Sequence, residues 1–292
     1  MLSMVALSAH KGTKHPNKIR NYKAMNNTFL ISIAALASLI FFHELGHWLV
    51  ARCLGFKTTT FSIGFGPSAK LLRFWQTDFR LGLIPLGGYV NIPELTDEES
   101  GKIALQAQGL SPDTYIQHAG WKKALVMLAG PGANVVFAYL LYVVLLMTHK
   151  QLSPLDALVT AAATTVAAAA SVLHGLAMML HLSPLDANLP AGATDLHSVV
   201  AIFQVINTAA GSSAILLGQY LAYLSLNLAI FNLLPLPLLD GGQLLFLCFE
   251  TLSGRPLSAQ WRANLALVSL IAILILTTIG LTNDFLKPIT MG

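Results

Sequence analysis

Long stretches of this chain are apolar, with few polar interruptions. Four of them, about 28–51, 124–147, 214–238 and 263–282, reach the length of about 20 apolar residues that a helix needs to cross a bilayer. A fifth stretch, 155–182, is patterned differently. Leu155, Leu158, Val159, Val166, Leu173, Leu176 and Leu180 recur at helical spacing, and Asp156, Thr160, Thr164, Ser171, His174 and His181 form an opposing polar stripe. That suits a helix lying in the interface or packed on a bundle, and the region 152–212 is expected not to cross the membrane. Between the first two spans, 79–92 (FRLGLIPLGGYVNI) is rich in glycine and aliphatic residues with β-type residues at both ends, which predicts a hairpin at the membrane surface. The hexapeptide LSPLDA occurs at 152–157 and 182–187. In each copy Ser can cap a helix, Pro fits the first turn, and Asp follows three residues after the cap, so both read as helix starts. The prediction is an all-α polytopic membrane protein. It has about four transmembrane helices, an interfacial amphipathic helix and a small membrane-associated β-hairpin, in one domain over 28–292.

Composition strengthens this picture. Only 10% of residues are charged, 55% are hydrophobic, and the mean hydropathy is +0.66, against about 25% charged in an ordinary soluble domain. Residues 1–27 form a polar, basic extension with Lys11, Lys14, Lys18, Arg20 and Lys23. These charges would hold the N-terminus in the cytoplasm, so translation is expected to begin at Met25. The net charge of +4 comes without a basic stripe interleaved with aromatics, which argues against nucleic-acid binding. Cys53 and Cys248 lack CxxC spacing and read as buried thiols. ELTDEES (94–100) reads as a solvated acidic turn. His118, His149, His174, His181 and His197 have no partners at ligand spacing and read as surface or interface residues.

One stretch resists the bland reading. FFHELGHWLV (41–50) places two histidines and a glutamate inside an apolar run, where unpaired polar groups are costly. His43 and His47 are four apart, so both rings project from one face of a helix. Two neutral imidazoles at that spacing can grip a Zn²⁺ ion, and Glu44 can act as general base toward an activated water. A catalytic zinc needs a third protein ligand and an open position. Asp240, in NLLPLPLLDGG (232–242), is a candidate: it follows a spanning run broken by Pro235 and Pro237. It could equally begin a turn with Gly241 and Gly242. Topology favours the ligand. His43, His47 and Asp240 all lie toward the C-terminal ends of their spans, and one crossing between them makes those spans run in the same direction. The Lys and Arg residues of 52–123, with Arg255 and Arg262, put those ends on the cytoplasmic side.

HELGHWLVAR, FSIGFGP, PLGGYV, AGPGAN and SLNLAIFNLLPLPLLDGG together resemble the site-2 protease family of intramembrane zinc metalloproteases, of the M50 type, and within it the bacterial RseP-like branch. The resemblance implies His43, His47 and Asp240 as zinc ligands and Glu44 as catalytic base. It implies that Asn134 lies near the substrate, and that 79–92, with Gly87, Gly88 and Tyr89, presents an edge to it. An edge strand can capture an extended peptide by backbone pairing. The implied partners are the lipid bilayer and single-span membrane proteins, such as an anti-sigma factor or signal-peptide remnants. The implied site faces the cytoplasm from a bacterial inner membrane. Three features depart from the branch: there is no room for a PDZ domain between Lys150 and the helix at 154, Gln243 stands where a histidine often follows DGG, and residues 1–24 have no counterpart. The alternative is a non-catalytic, metal-holding membrane scaffold of the same fold. Glu44 separates the two, because a metal holder has no use for it.

Overall fold

The computed structural model describes residues 16–96, 98–179, 199–255 and 257–286. Its elements in chain order are α1 (Pro16–Cys53), β1 (Thr60–Phe74), β2 (Thr77–Asn91), α2 (Glu98–Ala107), α3 (Gly120–His149), α4 (Pro154–Met179), α5 (Val199–Ser212), α6 (Ala214–Asn232), α7 (Asp240–Ser253) and α8 (Ala259–Leu286). Among the described residues, five helical stretches are long and apolar enough to cross a membrane: Thr28–Cys53, Gly120–His149, Pro154–Met178, Ala214–Asn232 and Gln260–Thr282. The chain is a multi-pass membrane protein with a small β element.

One of these five, Pro154–Met178, is the stretch whose polar stripe suits an interface or a bundle. The structure packs it on the bundle. Leu146, late in α3, packs on Ala157 and Ala161, early in α4, while Ala138, two turns earlier in α3, has Ala168 against it. The two helices are therefore antiparallel partners joined by the short link Lys150–Ser153. Small alanines permit this close approach. The polar stripe does not prevent it, because hydroxyls in it bond back to their own helix. Thr164 Oγ1 donates to the Thr160 carbonyl at 2.8 Å, and Ser171 Oγ to that of Ala168 at 2.7 Å. The first LSPLDA copy caps α4 as expected, with Asp156 N donating to Ser153 Oγ. The second copy, His181 and His197 lie outside the described residues.

The β element also departs from expectation. Residues 79–92 do not form a hairpin by themselves: 79–91 belong to one strand, β2, and the turn falls at Trp75 and Gln76, both left-handed (φ 47° and 64°). The hairpin is then folded back on itself. Thr60–Ile63 pair with Gly88–Asn91 on one side and with Asp78–Leu81 on the other, and the second group also pairs with the 69–73 arm of β1. The fold-back requires the chains to cross closely at Gly64 and Gly82. A methyl added to Gly82 would lie 2.5 Å from the Gly64 carbonyl carbon, and Gly64 itself has φ +88°. No periodicity argument sees such a crossing.

The link after β2 corrects two further expectations. Glu94 is fully buried rather than solvated. It accepts from the backbone amides of Lys57 (2.8 Å) and Ile116 (3.2 Å), pairs with Lys57 Nζ at 3.4 Å, and lies 3.0 Å from His118 Nε2. His118 is accordingly buried too, stacked on Phe56 with ring centroids 3.8 Å apart. A buried carboxylate with this many partners ties the end of α1 to the 111–118 segment. Cys53 and Cys248 are exposed, not buried.

Candidate metal centre

α1 and α6 run in the same direction, each packed against α3. Ser225 Oγ of α6 donates to the Asn134 carbonyl of α3 at 2.8 Å, and His47 Nδ1 of α1 lies 2.7 Å from the Val126 carbonyl. After α6 the chain turns through Leu233–Leu239, and α7 begins at Asp240. Gly241 and Gly242 allow that turn: a methyl on either would lie within 2.2 Å of the Leu233 or Leu236 carbonyl oxygen. Asp240 is thereby brought beneath the two histidines.

Asp240 Oδ2 lies 3.2 Å from His43 Nε2 and 3.3 Å from His47 Nε2, and the two Nε2 atoms are 3.3 Å apart. Ligand bonds of about 2.0–2.1 Å in a tetrahedral zinc site imply ligand-to-ligand edges of about 3.3 Å, so the three atoms have the spacing of one tetrahedral face. The donor set has the right chemistry. Asp240 Oδ2 is buried and accepts no hydrogen bond. A buried carboxylate oxygen facing two imidazole nitrogens is costly unless a cation is shared among them. His43, His47 and Asp240 form the group that can hold a metal ion, and the residues fit zinc.

The other ring nitrogens are occupied. His47 Nδ1–H donates to Val126 O, which leaves Nε2 with its lone pair toward the site. Asn134 Nδ2 lies 3.1 Å from His43 Nδ1, and Asn134 Oδ1 is buried without a partner. Exchanging the two ends of the amide puts Oδ1 against the ring, so that Nδ1–H donates and the Nε2 lone pair faces the site. Asn134, expected near the substrate, is fully buried against the His43 ring. Gly130 closes the back of the site. A methyl there would lie 2.2 Å from His47 Nε2 and 2.8 Å from His43 Cε1.

The cluster opens into a cleft of about 760 Å³. Glu44 lines it one residue along from His43, within electrostatic reach of all three candidate ligands and next to the Val90 backbone amide. Gly87 lines it as well, with Gly88 and Tyr89 of the Gly88–Asn91 segment, whose outer edge has no strand partner among the described residues. Gly88 permits the approach: a methyl there would lie 3.0 Å from Glu44 Cγ. Sequence reasoning missed Val126, whose contribution is a backbone atom with no sequence signal. It also missed Gly130, although AGPGAN pointed at its neighbourhood, and the cleft residues Asn232 and Arg262. Gln243 donates through Nε2 to the Pro237 carbonyl at 2.8 Å, which braces the turn before Asp240.

Known proteins point the same way. A protein of Campylobacter jejuni named "Putative zinc metalloprotease Cj1068" is 25% identical over 357 aligned positions, covering 89% of this chain and 94% of that protein. "Putative zinc metalloprotease slr1821" of Synechocystis is 27% identical over 351 positions, covering 88% and 94%. A Helicobacter pylori protein named "Putative zinc metalloprotease" is 40% identical over 114 residues, 39% of this chain and 31% of its own length. The two long alignments exceed the 292 residues of this chain, so both relatives carry inserted residues that it lacks. The family model "Peptidase family M50" matches residues 31–276, from ahead of the histidines to well past Asp240. The chain belongs to peptidase family M50, the site-2 protease family of zinc metalloproteases.

Proposed function

We propose that this chain hydrolyses peptide bonds within or beside the transmembrane segments of single-span membrane proteins, at a site facing the cytoplasm from a bacterial cell membrane. The observation that carries the reading is the juxtaposition of a three-ligand cluster and a carboxylate with an open strand edge in one cleft. His43, His47 and Asp240 hold the metal, and Val126 O and Asn134 fix the two rings. Zinc, when bound, supplies a Lewis acid and lowers the pKa of water. Glu44 takes the proton from the attacking water and returns it to the leaving amine. The edge at Gly88–Asn91 pairs with the substrate backbone, which suits a substrate whose helix must unwind before attack. The apolar cleft wall, with Leu228, Leu238 and Leu239, receives its side chains. The class of substrate includes anti-sigma factors and signal-peptide remnants.

Glu44→Gln tests the mechanism. Zinc content should be unchanged and cleavage of a single-span reporter should fall at least about 100-fold, the lower end of what general-base loss costs. Wild-type cleavage by Glu44→Gln would favour a metal-holding scaffold instead. Cleavage restricted to soluble peptides would remove the substrate class while leaving the peptidase.

A further inference from the structure

The distal half of the hairpin carries a surface that the zinc cleft does not use. Lys70 Nζ, Arg73 Nε and Arg80 Nη2 converge on a single carboxylate, Asp78, at 2.7, 3.6 and 4.0 Å. Three cations meet one anion, so two positive charges are left uncompensated. Arg52, from the last turn of α1, adds another: its guanidinium sits 5.0 Å from the centroid of the Trp75 ring. Around this charge lies an apolar rim. Leu71, Leu72, Phe74, Leu81 and Leu83 are exposed, Leu83 at 76%. Exposed aliphatic and aromatic side chains on a water-soluble face would be a liability. At the surface of a bilayer they are an anchor, and the arginines and lysine then sit at headgroup level.

We propose that this hairpin tip, residues 70–83 with Arg52, is a binding surface for anionic phospholipid headgroups. Charge complementarity in a fixed setting selects the ligand. The cations are held together by Asp78 and by the pairing of Lys70 with Arg80 and of Arg73 with Asp78 across the hairpin, within an apolar rim that only acyl chains would cover. A zwitterionic headgroup brings no net charge to such a cluster, whereas a phosphatidylglycerol headgroup brings one. A juxtamembrane cation near an anionic surface is worth roughly a fivefold change in binding. Because Gly88–Asn91 and Asp78–Leu81 flank the same segment, Thr60–Ile63, lipid held at the tip also sets the depth of the cleft-lining edge relative to the bilayer surface.

The test uses the delipidated full chain in neutral detergent, titrated with dioleoyl phosphatidylglycerol or dioleoyl phosphatidylcholine, with bound lipids counted by native mass spectrometry. The wild type should retain phosphatidylglycerol in preference to phosphatidylcholine, and inorganic phosphate at equal concentration should not displace it. Lys70→Gln/Arg73→Gln/Arg80→Gln should lose at least about tenfold of that preference. Lys70→Arg/Arg73→Lys/Arg80→Lys should keep it. Asp78→Asn, which removes the competing carboxylate, should bind phosphatidylglycerol more tightly than the wild type. Equal retention of the two lipids by the wild type, displacement by inorganic phosphate, or weaker binding by Asp78→Asn would each overturn the proposal. Because the readout is lipid retention, it stands or falls independently of proteolysis.

Discussion

The metal centre and the folded-back hairpin both depend on glycines at points of close approach, but for different ends. At the centre, Gly130 lets two imidazole rings lie against α3, and the groups behind them are buried, with the Asn134 side chain against His43 and Ser225 Oγ on the Asn134 carbonyl. In the hairpin, Gly64 and Gly82 let two strands cross, and the surface beyond the crossing is exposed, apolar and cationic. One region has its geometry fixed by three packed helices. The other adds to its own backbone pairing a single helix, α1, whose Trp48 donates to Thr77 Oγ1 at 3.0 Å and packs on Phe74, Trp75 and Phe79. Damage at the centre should therefore appear in metal binding, and damage in the hairpin should appear in substrate handling with the metal retained.

The largest effect that would break this comparison is at Gly130. Gly130→Ala places a methyl 2.2 Å from His47 Nε2 and 2.8 Å from His43 Cε1, so both rings must turn away from the site to admit it. Purified Gly130→Ala protein should contain no stoichiometric zinc and show no measurable cleavage. Full zinc by elemental analysis would mean that α1 and α3 separate more easily than their packing implies. Asn134→Ala comes next. It removes the partner of His43 Nδ1 and should weaken zinc affinity on the order of 10–100-fold, measured by competition with a chelator. An unchanged affinity would show that α3 packing alone orients the ring.

Gly82→Ala sharpens the other half of the comparison. Its methyl would meet Gly64 at 2.5 Å, displacing the strand pairing that positions Gly88–Asn91. Zinc content should stay at wild-type level while kcat/KM falls about tenfold, since a shift of about 1 Å in a positioning element can cost up to 100-fold. Loss of zinc in this variant would erase the distinction between the two regions. The smallest effect concerns Asp78. The hydrogen bond from Lys70, with the charges of Arg73 and Arg80, holds its carboxyl below the usual aspartate value. A lowered folded pKa means the ion pair stabilises the hairpin fully above the unfolded aspartate value of about 3.9 and loses that contribution as pH falls through the folded value. For a pair at the surface the scale is about 0.5 kcal/mol. Thermal melts followed by tryptophan fluorescence should show this loss in the wild type below about pH 4 and none in Asp78→Asn.

Much of the centre was legible without the fold. The four-residue spacing of His43 and His47 is a statement about one helix, and helix geometry is local, so both rings had to share a face. Asp240 needed one more step: the placement of basic residues suggested that two spans run alike and end on one side, and the structure sets Asp240 Oδ2 3.2 and 3.3 Å from the two histidine rings. The cluster therefore followed from periodicity, charge asymmetry and coordination chemistry. What tertiary structure decided was everything that depends on which surfaces meet. Glu94 reads as one of several carboxylates in an acidic turn until two backbone amides, Lys57 and His118 converge on it. The polar stripe of α4 suits an interface or a bundle alike until Thr164 and Ser171 bond their own helix and the alanines pack on α3. Asn134 reads only as a residue near the substrate until α1 and α3 meet and set its amide against the His43 ring. Residue spacing along one helix is set by covalent geometry, which every sequence carries openly. The burial of a carboxylate or the crossing of two strands is set by contacts between residues distant in the chain, and their energies exist only once the fold has brought them together.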